Sequence, residues 1–375
     1  MLQKNRPFSL PKAYQDDFQT LKTLLARHTR RAYFVGGCVR DHFMGIESSD
    51  FDIEVYDLDE VAFADVMAEL GAVKAGKSFH VYKWKAFDLA LPRTETKTGI
   101  GHTAFATRTV QEEKDASRRR DFTMNALMIH CFSGELLDHW GGLADLEAGV
   151  LRHIDEGKFA EDSLRVLRAM QFAARFAFKI DDKTIAICRK IPLSDLTKER
   201  KYGEFEKLFR ADYPLHGLYY GIRLDIFDKL FDLNLGFTDL LALAREFKYH
   251  FPLVDPELKT YYFLYALHNR LHCSVEPMLD ALNAPNRYHR ILAKQKRRPA
   301  RISARFLKAL SLVYPIGGWL GLTADVKKRA DELGVYDAPY AHGIDIQDVI
   351  RDGFEKEAIR SEFKRRVCRN LRESG

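Results

Sequence analysis

The segment YFVGGCVRDHFMGIESSDFDIEVYD, spanning Tyr33 to Asp57, constrains the fold more than any other stretch of this 375-residue chain. Its β-rich opening runs into Gly36-Gly37, the residues up to Met44 read as a short helix, and an alternating run follows from Asp50. Strand, glycine turn, helix and second strand within 25 residues describe one corner of a small α/β sheet. Asp50 and Asp52 flank Phe51, and a period of two puts both carboxylates on one strand face, about 6–7 Å apart. Like charges so placed cost stability unless a cation sits between them, and hard oxygen ligands suit Mg²⁺. A solvent-facing acidic strand is the alternative for such a pair standing alone. The glycine turn changes that balance. Backbone N–H groups at a helix start form an anion cradle, and Arg40 lies in the first turn of that helix, where it can grip a phosphate. Together these features describe a nucleoside triphosphate held over metal.

Strand signals are concentrated in the first 140 residues. RAYFVGG, DFDIEVYD and HVYKWKAFDLALP are rich in Val, Phe, Tyr, Ile and Trp and end in turn signals. DEVAFADVMAELG has apolar residues at helical spacing and closes on Gly71. Asp88 falls in a β-type run, where a third carboxylate on a neighbouring strand would complete a site that deprotonates an attacking hydroxyl. From about Ser163 onward the pattern is helical: SLRVLRAMQFAARFAF, GEFEKLFRADY and TDLLALAREF. The expected architecture is an α/β head followed by a long helical body. A formal charge of +6, with basic stretches KQKRRPARISARFLK and EFKRRVCRNLRE late in the chain, is compatible with a polyanionic partner.

Several classes are excluded. The N-terminus has no apolar leader, and the most apolar late run, LVYPIGGWLGL, is too short and too broken to span a bilayer. Cys38, Cys131, Cys188, Cys273 and Cys368 form no CxxC pair, so reduced thiols in a cytoplasm are expected, with no zinc cage. GIGHTAF lacks the full dinucleotide fingerprint, no nucleophile elbow is present, and His80, His102, His130, His139 and His153 show no metal-ligand spacing.

Two arginine-rich stretches carry recognition chemistry. SRRRDFTMNAL sets Arg118, Arg119, Arg120 and Asp121 before an apolar run read as helical. An arginine fork suits phosphate and sugar hydroxyls, and an adjacent Asp can hold a ribose hydroxyl; a charged helix start capped by Asp121 is the plain alternative. In FAEDSLRVLRAMQF, Asp162, Arg165 and Arg168 cover an arc of about 120° opposite the apolar face. A carboxylate that accepts from an exocyclic amino group, beside an arginine that donates to a ring acceptor, pairs with cytosine or adenine and with neither guanine nor uracil. A surface i,i+3 ion pair is the alternative there.

In order, Gly36-Gly37-Cys38-Val39-Arg40-Asp41, Asp50-Phe51-Asp52, Arg119-Arg120-Asp121-Phe122-Thr123-Met124-Asn125-Ala126 and Glu161-Asp162-Ser163-Leu164-Arg165 resemble the motifs of the class II tRNA nucleotidyltransferases, the CCA-adding enzymes, with the related bacterial poly(A) polymerases. HWGGLADLEAGVLRHI and ERKYGEFEKLF resemble that family's hinge segment and later helical motif. The resemblance covers about residues 31–209 and is only general beyond. It implies an α+β fold: a polymerase-β-like nucleotidyltransferase head over 1–140, a helical neck over 141–210 with a base-reading helix, a helical body over 211–300 and a basic helical tail over 301–375 that binds tRNA. It implies Asp50 and Asp52 as ligands of Mg²⁺, Gly37 and Arg40 at the phosphates, Arg120 and Asp121 at the ribose, Asp162 and Arg165 at the base, and Arg168 as a further nucleotide contact. CTP, ATP and tRNA are the implied partners, and CCA addition is the implied reaction. Gln171 stands where many members carry another arginine, so that contact is not carried over. The 24 residues from Thr94 to Ser117, with Gly99 and Gly101, argue against an enzyme that adds only CC. A-only addition or poly(A) synthesis on the same site remains open, as does a non-catalytic RNA-binding paralogue, which would have no reason to keep the metal ligands.

Overall fold

The structure is a computed structural model that describes residues 7–75, 81–97, 105–272 and 274–373, with backbone alone for 94–97 and 105–108. His80, Gly99, Gly101, His102 and Cys273 lie outside the described residues. The head runs α1 (Lys12–Leu25), β1 (Ala32–Val35), α2 (Gly37–Met44), β2 (Phe51–Val55), α3 (Glu60–Leu70), β3 (Val73–Ala75), β4 (Val81–Trp84), β5 (Phe87–Ala90), β6 (Arg93–Lys97), β7 (Phe105–Thr109), α4 (Glu113–Arg118), β8 (Met128–His130) and β9 (Leu136–Leu137). Seven of these strands form one sheet in the order β3-β4-β5-β2-β1-β8-β9, while β6 and β7 pair apart from it. All neighbours in the sheet are antiparallel except β2 and β5, which run parallel with Asp52 opposite Asp88.

Period-two alternation decides what the sheet buries. Phe34, Phe51, Ile53, Phe87 and Leu89 point to one face and pack in one core with Leu21 and Leu25 of α1 and Phe63 and Met67 of α3. Each such side chain contributes about 1.5–3 kcal/mol of burial. The alternate residues, Asp52, Glu54 and Asp88, are thereby fixed on the opposite face. Asp50 is not part of this alternation, because β2 begins at Phe51. The run HVYKWKAFDLALP also divides: Lys85 at φ 53° turns the chain between β4 and β5, so Asp88 sits in the second arm of a hairpin. The helix expected within DEVAFADVMAELG is α3, capped by Asp59 and closed by Gly71 in the left-handed region.

The segment expected as a neck holds α5 (Gly142–Ala148), β10 (Val150–Leu151), α6 (Glu156–Ala160), α7 (Leu164–Phe176), β11 (Lys179–Ile180), α8 (Asp182–Lys190) and α9 (Lys198–Phe209). Among the described residues β11 is the last strand; α10 (Pro214–Arg223) through α19 (Glu357–Glu373) complete the chain as helices and short 3₁₀ turns. Helix α7 packs on α9 and α10. A Cβ on Gly217 of α10 would lie 2.4 Å from Leu208 Cδ1 and 2.6 Å from Ala174 Cβ, so a side chain there would push these helices apart. One continuous core runs from Leu10 to Leu292 and Leu320, and a second, built on Leu307, Ile316, Trp319 and Val335, serves the end of the chain. Among the described residues no helix is long and apolar enough to cross a membrane.

Candidate active site

A cavity of about 430 Å³ opens where the polar face of the sheet meets the start of α7. Gly37, Arg40, Asp52, Arg120, Asp121, Asp162, Arg165 and Arg168 line it, together with Gly36, Arg119, Asn125, Leu164 and Arg200. The turn between β1 and α2 forms one wall. Gly36 holds φ 75° and ψ −130°, and a Cβ there would meet Arg120 Nη1 at 2.9 Å and Asp52 Oδ2 at 3.6 Å. Glycine is required at that position on both counts.

Arg40 is only 4% exposed. Its guanidinium donates to Asp41 Oδ1 (2.8 Å) and Asn125 Oδ1 (2.7 Å) and stacks near the rings of Phe172 and Phe176, 5.4 and 5.0 Å from their centroids. It therefore fastens α2 to α7 while closing the cavity's base. The run after α4 is not the helix the sequence suggested: Thr123–Asn125 is a single 3₁₀ turn leading into β8. That turn buries Asp121 and Asn125. Asp121 Oδ1 accepts from Phe122 N (2.8 Å) and Asn125 Nδ2 (2.9 Å), and Oδ2 accepts from Arg168 Nε (2.6 Å). Burial alone would raise the Asp121 carboxyl; Arg168, the Asn125 amide and Arg165 outweigh it and hold Asp121 below the usual carboxylate range.

The base-reading candidates meet at the other wall. Asp162 lies two residues before α7, and its Oδ1 accepts from Leu164 N at 3.1 Å. Arg200, from the first turn of α9, donates through Nη2 to both Asp162 oxygens at 3.1 and 3.0 Å. Arg165 donates to the carbonyls of Lys158 (2.8 Å) and Arg119, so it ties the approach to α7 to the arginine-rich segment of the head.

Asp50 and Asp88 do not line this cavity. They flank its sheet edge, joined by Lys83 on β4, whose Nζ is 3.4 Å from Asp50 Oδ1 and 3.3 Å from Asp88 Oδ1. Asp52, which lines the cavity, is exposed. Burial pushes its carboxyl up; Arg120 opposes the rise, and Asp50, Asp88 and Glu54 add to it. Behind it Glu54, 3% exposed, accepts from Arg119 Nη2 (3.2 Å), Arg120 Nη2 (3.0 Å) and the Tyr56 hydroxyl (3.2 Å). Burial would raise Glu54, but Arg120 and Arg119 hold it low.

Residues 32–152 match the family model described as the poly A polymerase head domain. The multifunctional CCA protein of Vibrio campbellii is 28% identical over 90% of this chain and 97% of its own length. The fold is that of solved relatives. The Bacillus stearothermophilus CCA-adding enzyme in complex with CTP superposes with a TM-score of 0.66 at 21% identity, over 97% of this chain and 94% of that one. The Thermotoga maritima CCA-adding enzyme complexed with tRNA gives 0.65 at 22% identity, over 97% and 96%.

Asn125, Glu54 and Arg200 are site residues that sequence reasoning assigned no role, and Arg119 was read only as one of an arginine-rich run. Glu54 had a signal, since it continues the alternation of Asp52 on the same strand face. Arg200 had none, because what matters is which turn of α9 comes to rest beside Asp162.

Proposed function

We propose that this chain is a template-independent nucleotidyltransferase that completes the 3′ end of tRNA with CMP, CMP and AMP from CTP and ATP. One observation carries the reading: a single cavity brings the glycine turn and Asp52 of the head against Asp121, Asp162, Arg165 and Arg168, so polyphosphate, ribose and base chemistry share one site. The similar proteins named for CCA addition, and their complexes with CTP and tRNA, support it.

The acidic edge suits a hard cation by donor type. Asp50, Asp52 and Asp88 offer only oxygen, and Asp88 Oδ1 is a buried oxygen that accepts no hydrogen bond despite the nearby Lys83 charge. Among the described residues no three such ligands surround one point, since Asp50 turns toward Lys83. Asp50 and Asp52 would hold Mg²⁺, which supplies the Lewis acidity that eases ionisation of the tRNA 3′-hydroxyl and offsets charge on the departing pyrophosphate. That hydroxyl oxygen attacks the α-phosphorus as the bond to the bridging oxygen breaks, and Asp88 takes its proton. The glycine turn and the guanidinium group of Arg40 orient the triphosphate, and Arg120 contributes to holding the ribose. Asp121 orients the ribose, and Arg168 fixes Asp121. Asp162 accepts from the amino group of C or A while Arg165 donates to the adjoining ring nitrogen. The basic helical half holds tRNA through its phosphates, largely by shape. Positioning and electrostatics carry most of the acceleration, as in phosphoryl transfer generally.

The deciding experiment supplies one nucleotide at a time to tRNA transcripts that end before CCA or at CC. CMP joined to the shorter transcript and AMP to the longer one is the expected result. AMP addition alone would reassign the protein as an adenylyl-transferring enzyme, and no addition at all would leave an RNA-binding paralogue. Asp52→Asn is expected to abolish incorporation on both transcripts.

A further inference from the structure

We propose that Glu54 is a positioning residue that holds Arg120 away from Asp52, and so keeps the Asp52 carboxylate available to a cation. The proposal deepens, and rests on, the reading of Asp50 and Asp52 as metal ligands. Arg120 and Asp52 are close neighbours across the Gly36 backbone. The point where a Gly36 Cβ would sit is 2.9 Å from Arg120 Nη1 and 3.6 Å from Asp52 Oδ2. An arginine so placed next to a carboxylate pairs with it by default, and a carboxylate so paired has its lone pairs taken. In this chain the Arg120 hydrogen bond goes elsewhere, to Glu54 Oε1 at 3.0 Å. Arg119 donates to the same oxygen at 3.2 Å, and the Tyr56 hydroxyl, itself fully buried, fixes the other oxygen at 3.2 Å.

Glu54 suits that role on three grounds. It is two residues from Asp52 on one strand, so strand periodicity aims both carboxylates at the same face. Water does not compete for it, because the side chain is 3% exposed, and a desolvated anion attracts a guanidinium more strongly than a solvated one. Asp52, by contrast, is open to the cavity. Glu54 is thus the deeper and less screened of two competing anions. A glutamine there would keep the shape and one acceptor oxygen but surrender the charge that wins the competition.

The test is equilibrium binding of Mn²⁺ alone to the full-length, nucleotide-free protein, read from the electron paramagnetic resonance of free Mn²⁺. Circular dichroism confirms that each variant is folded. Asp52→Asn is expected to remove the binding. Glu54→Gln is expected to weaken it about tenfold, as a charge-assisted contact to Asp52 replaces the one to Glu54. Glu54→Asp keeps the charge at shorter reach and is expected to weaken binding less, about threefold. Arg120→Met separates restraint from a general loss of negative charge. If Glu54 acts by restraining Arg120, removing the arginine strengthens Mn²⁺ binding more in the Glu54→Gln background than in the wild type. An equal effect in both backgrounds, or wild-type affinity in folded Glu54→Gln, overturns the proposal. Should Glu54→Gln not fold, the same cycle with Glu54→Asp decides, and absence of coupling overturns the proposal there too. Mn²⁺ binding that survives Asp52→Asn is a different failure, because it removes the metal-site reading itself.

Discussion

Arg200 illustrates how one side chain from a distant turn sets the chemistry of another. It grips both oxygens of Asp162, and among the described residues the other donor to that carboxylate is the Leu164 amide. A hydrogen bond to a charged group is worth about 1.5–3 kcal/mol, so Arg200→Ala is expected to lower kcat/KM for CTP and ATP about ten- to hundredfold. Incorporation of U and G is expected to rise, because the carboxylate then rotates. Arg200→Lys keeps the charge without the fork and falls between. Single-turnover assays with each of the four nucleotides check this, and an unchanged profile would show that the Leu164 amide alone orients Asp162. At Gly36 the expectation is structural. Gly36→Ala forces a non-glycine residue to φ 75° and sets its methyl against a half-buried guanidinium that Glu54 holds in place. Such positions cost about 1–3 kcal/mol, which denaturant titration would read directly. The Gly36-Gly37 turn was legible in the sequence as a turn. That Arg120 is the group needing the space was not, since 83 intervening residues separate them.

At the scale of elements, α7 carries the arginines and the residues leading into the 3₁₀ turn at Thr123–Asn125 carry their carboxylate, Asp121, so the site exists only while the two stay docked. Asp121 is one pH-sensitive part of that joint, and Glu113 at the start of α4, with Arg31 and Tyr33, is a second one elsewhere in the head. For Glu113, burial would raise the carboxyl, but the backbone at the helix start, Arg31 and Tyr33 hold it below the usual range. Both carboxyls are lower in the folded protein than in the unfolded chain. Their stabilisation is therefore fully present above the unfolded value of about 4 and is lost as pH falls through it toward the folded values. Thermal unfolding followed from neutral pH into acid should show a midpoint that drops below about pH 4, and Arg168→Met should shrink that drop by removing the partner of Asp121. Helix α5 adds a steric requirement. A Cβ on Gly142 at the start of α5 would lie 2.2 Å from the Thr123 carbonyl oxygen, so Gly142→Ala is expected to cost about 1–3 kcal/mol by overpacking. The long helices were readable from their 3.6-residue pattern. The 3₁₀ turn was not, because Thr-Met-Asn followed by apolar residues reads locally as a helix start, and the isolated bridge of Phe122 to His153 is what draws it out of that course.

For the molecule as a whole, charge is arranged by length. Helix α19 exposes Arg360, Lys364 and Arg369, while Glu362 is buried and engaged by Arg365 and Arg366. Replacing Arg360, Lys364 and Arg369 together by alanine is expected to weaken tRNA binding and to flatten its dependence on salt. The slope of log affinity against log salt should fall by about 0.7–0.9 for each phosphate that is no longer neutralised. KM for CTP is expected to stay as it is, because the nucleotide cavity lies in the head and neck. Filter binding at several salt concentrations, beside steady-state kinetics, separates the two effects, and an unchanged slope would place the RNA on another face.

What the sequence determined unaided is local: the long helices, which strand face must be apolar, the need for glycine at a turn, and the residue types suited to phosphate, sugar and base. Those follow from periodicity and side-chain chemistry within a few turns of chain. What only the tertiary structure decided is which charge answers which. Glu54 rather than Asp52 holds Arg120, Arg200 holds Asp162, and Lys83 stands between Asp50 and Asp88, because burial and the packing of α7 on α9 select among partners that the linear order leaves equal. Electrostatic pairing depends on distance and on access of water, and neither exists until the chain is folded.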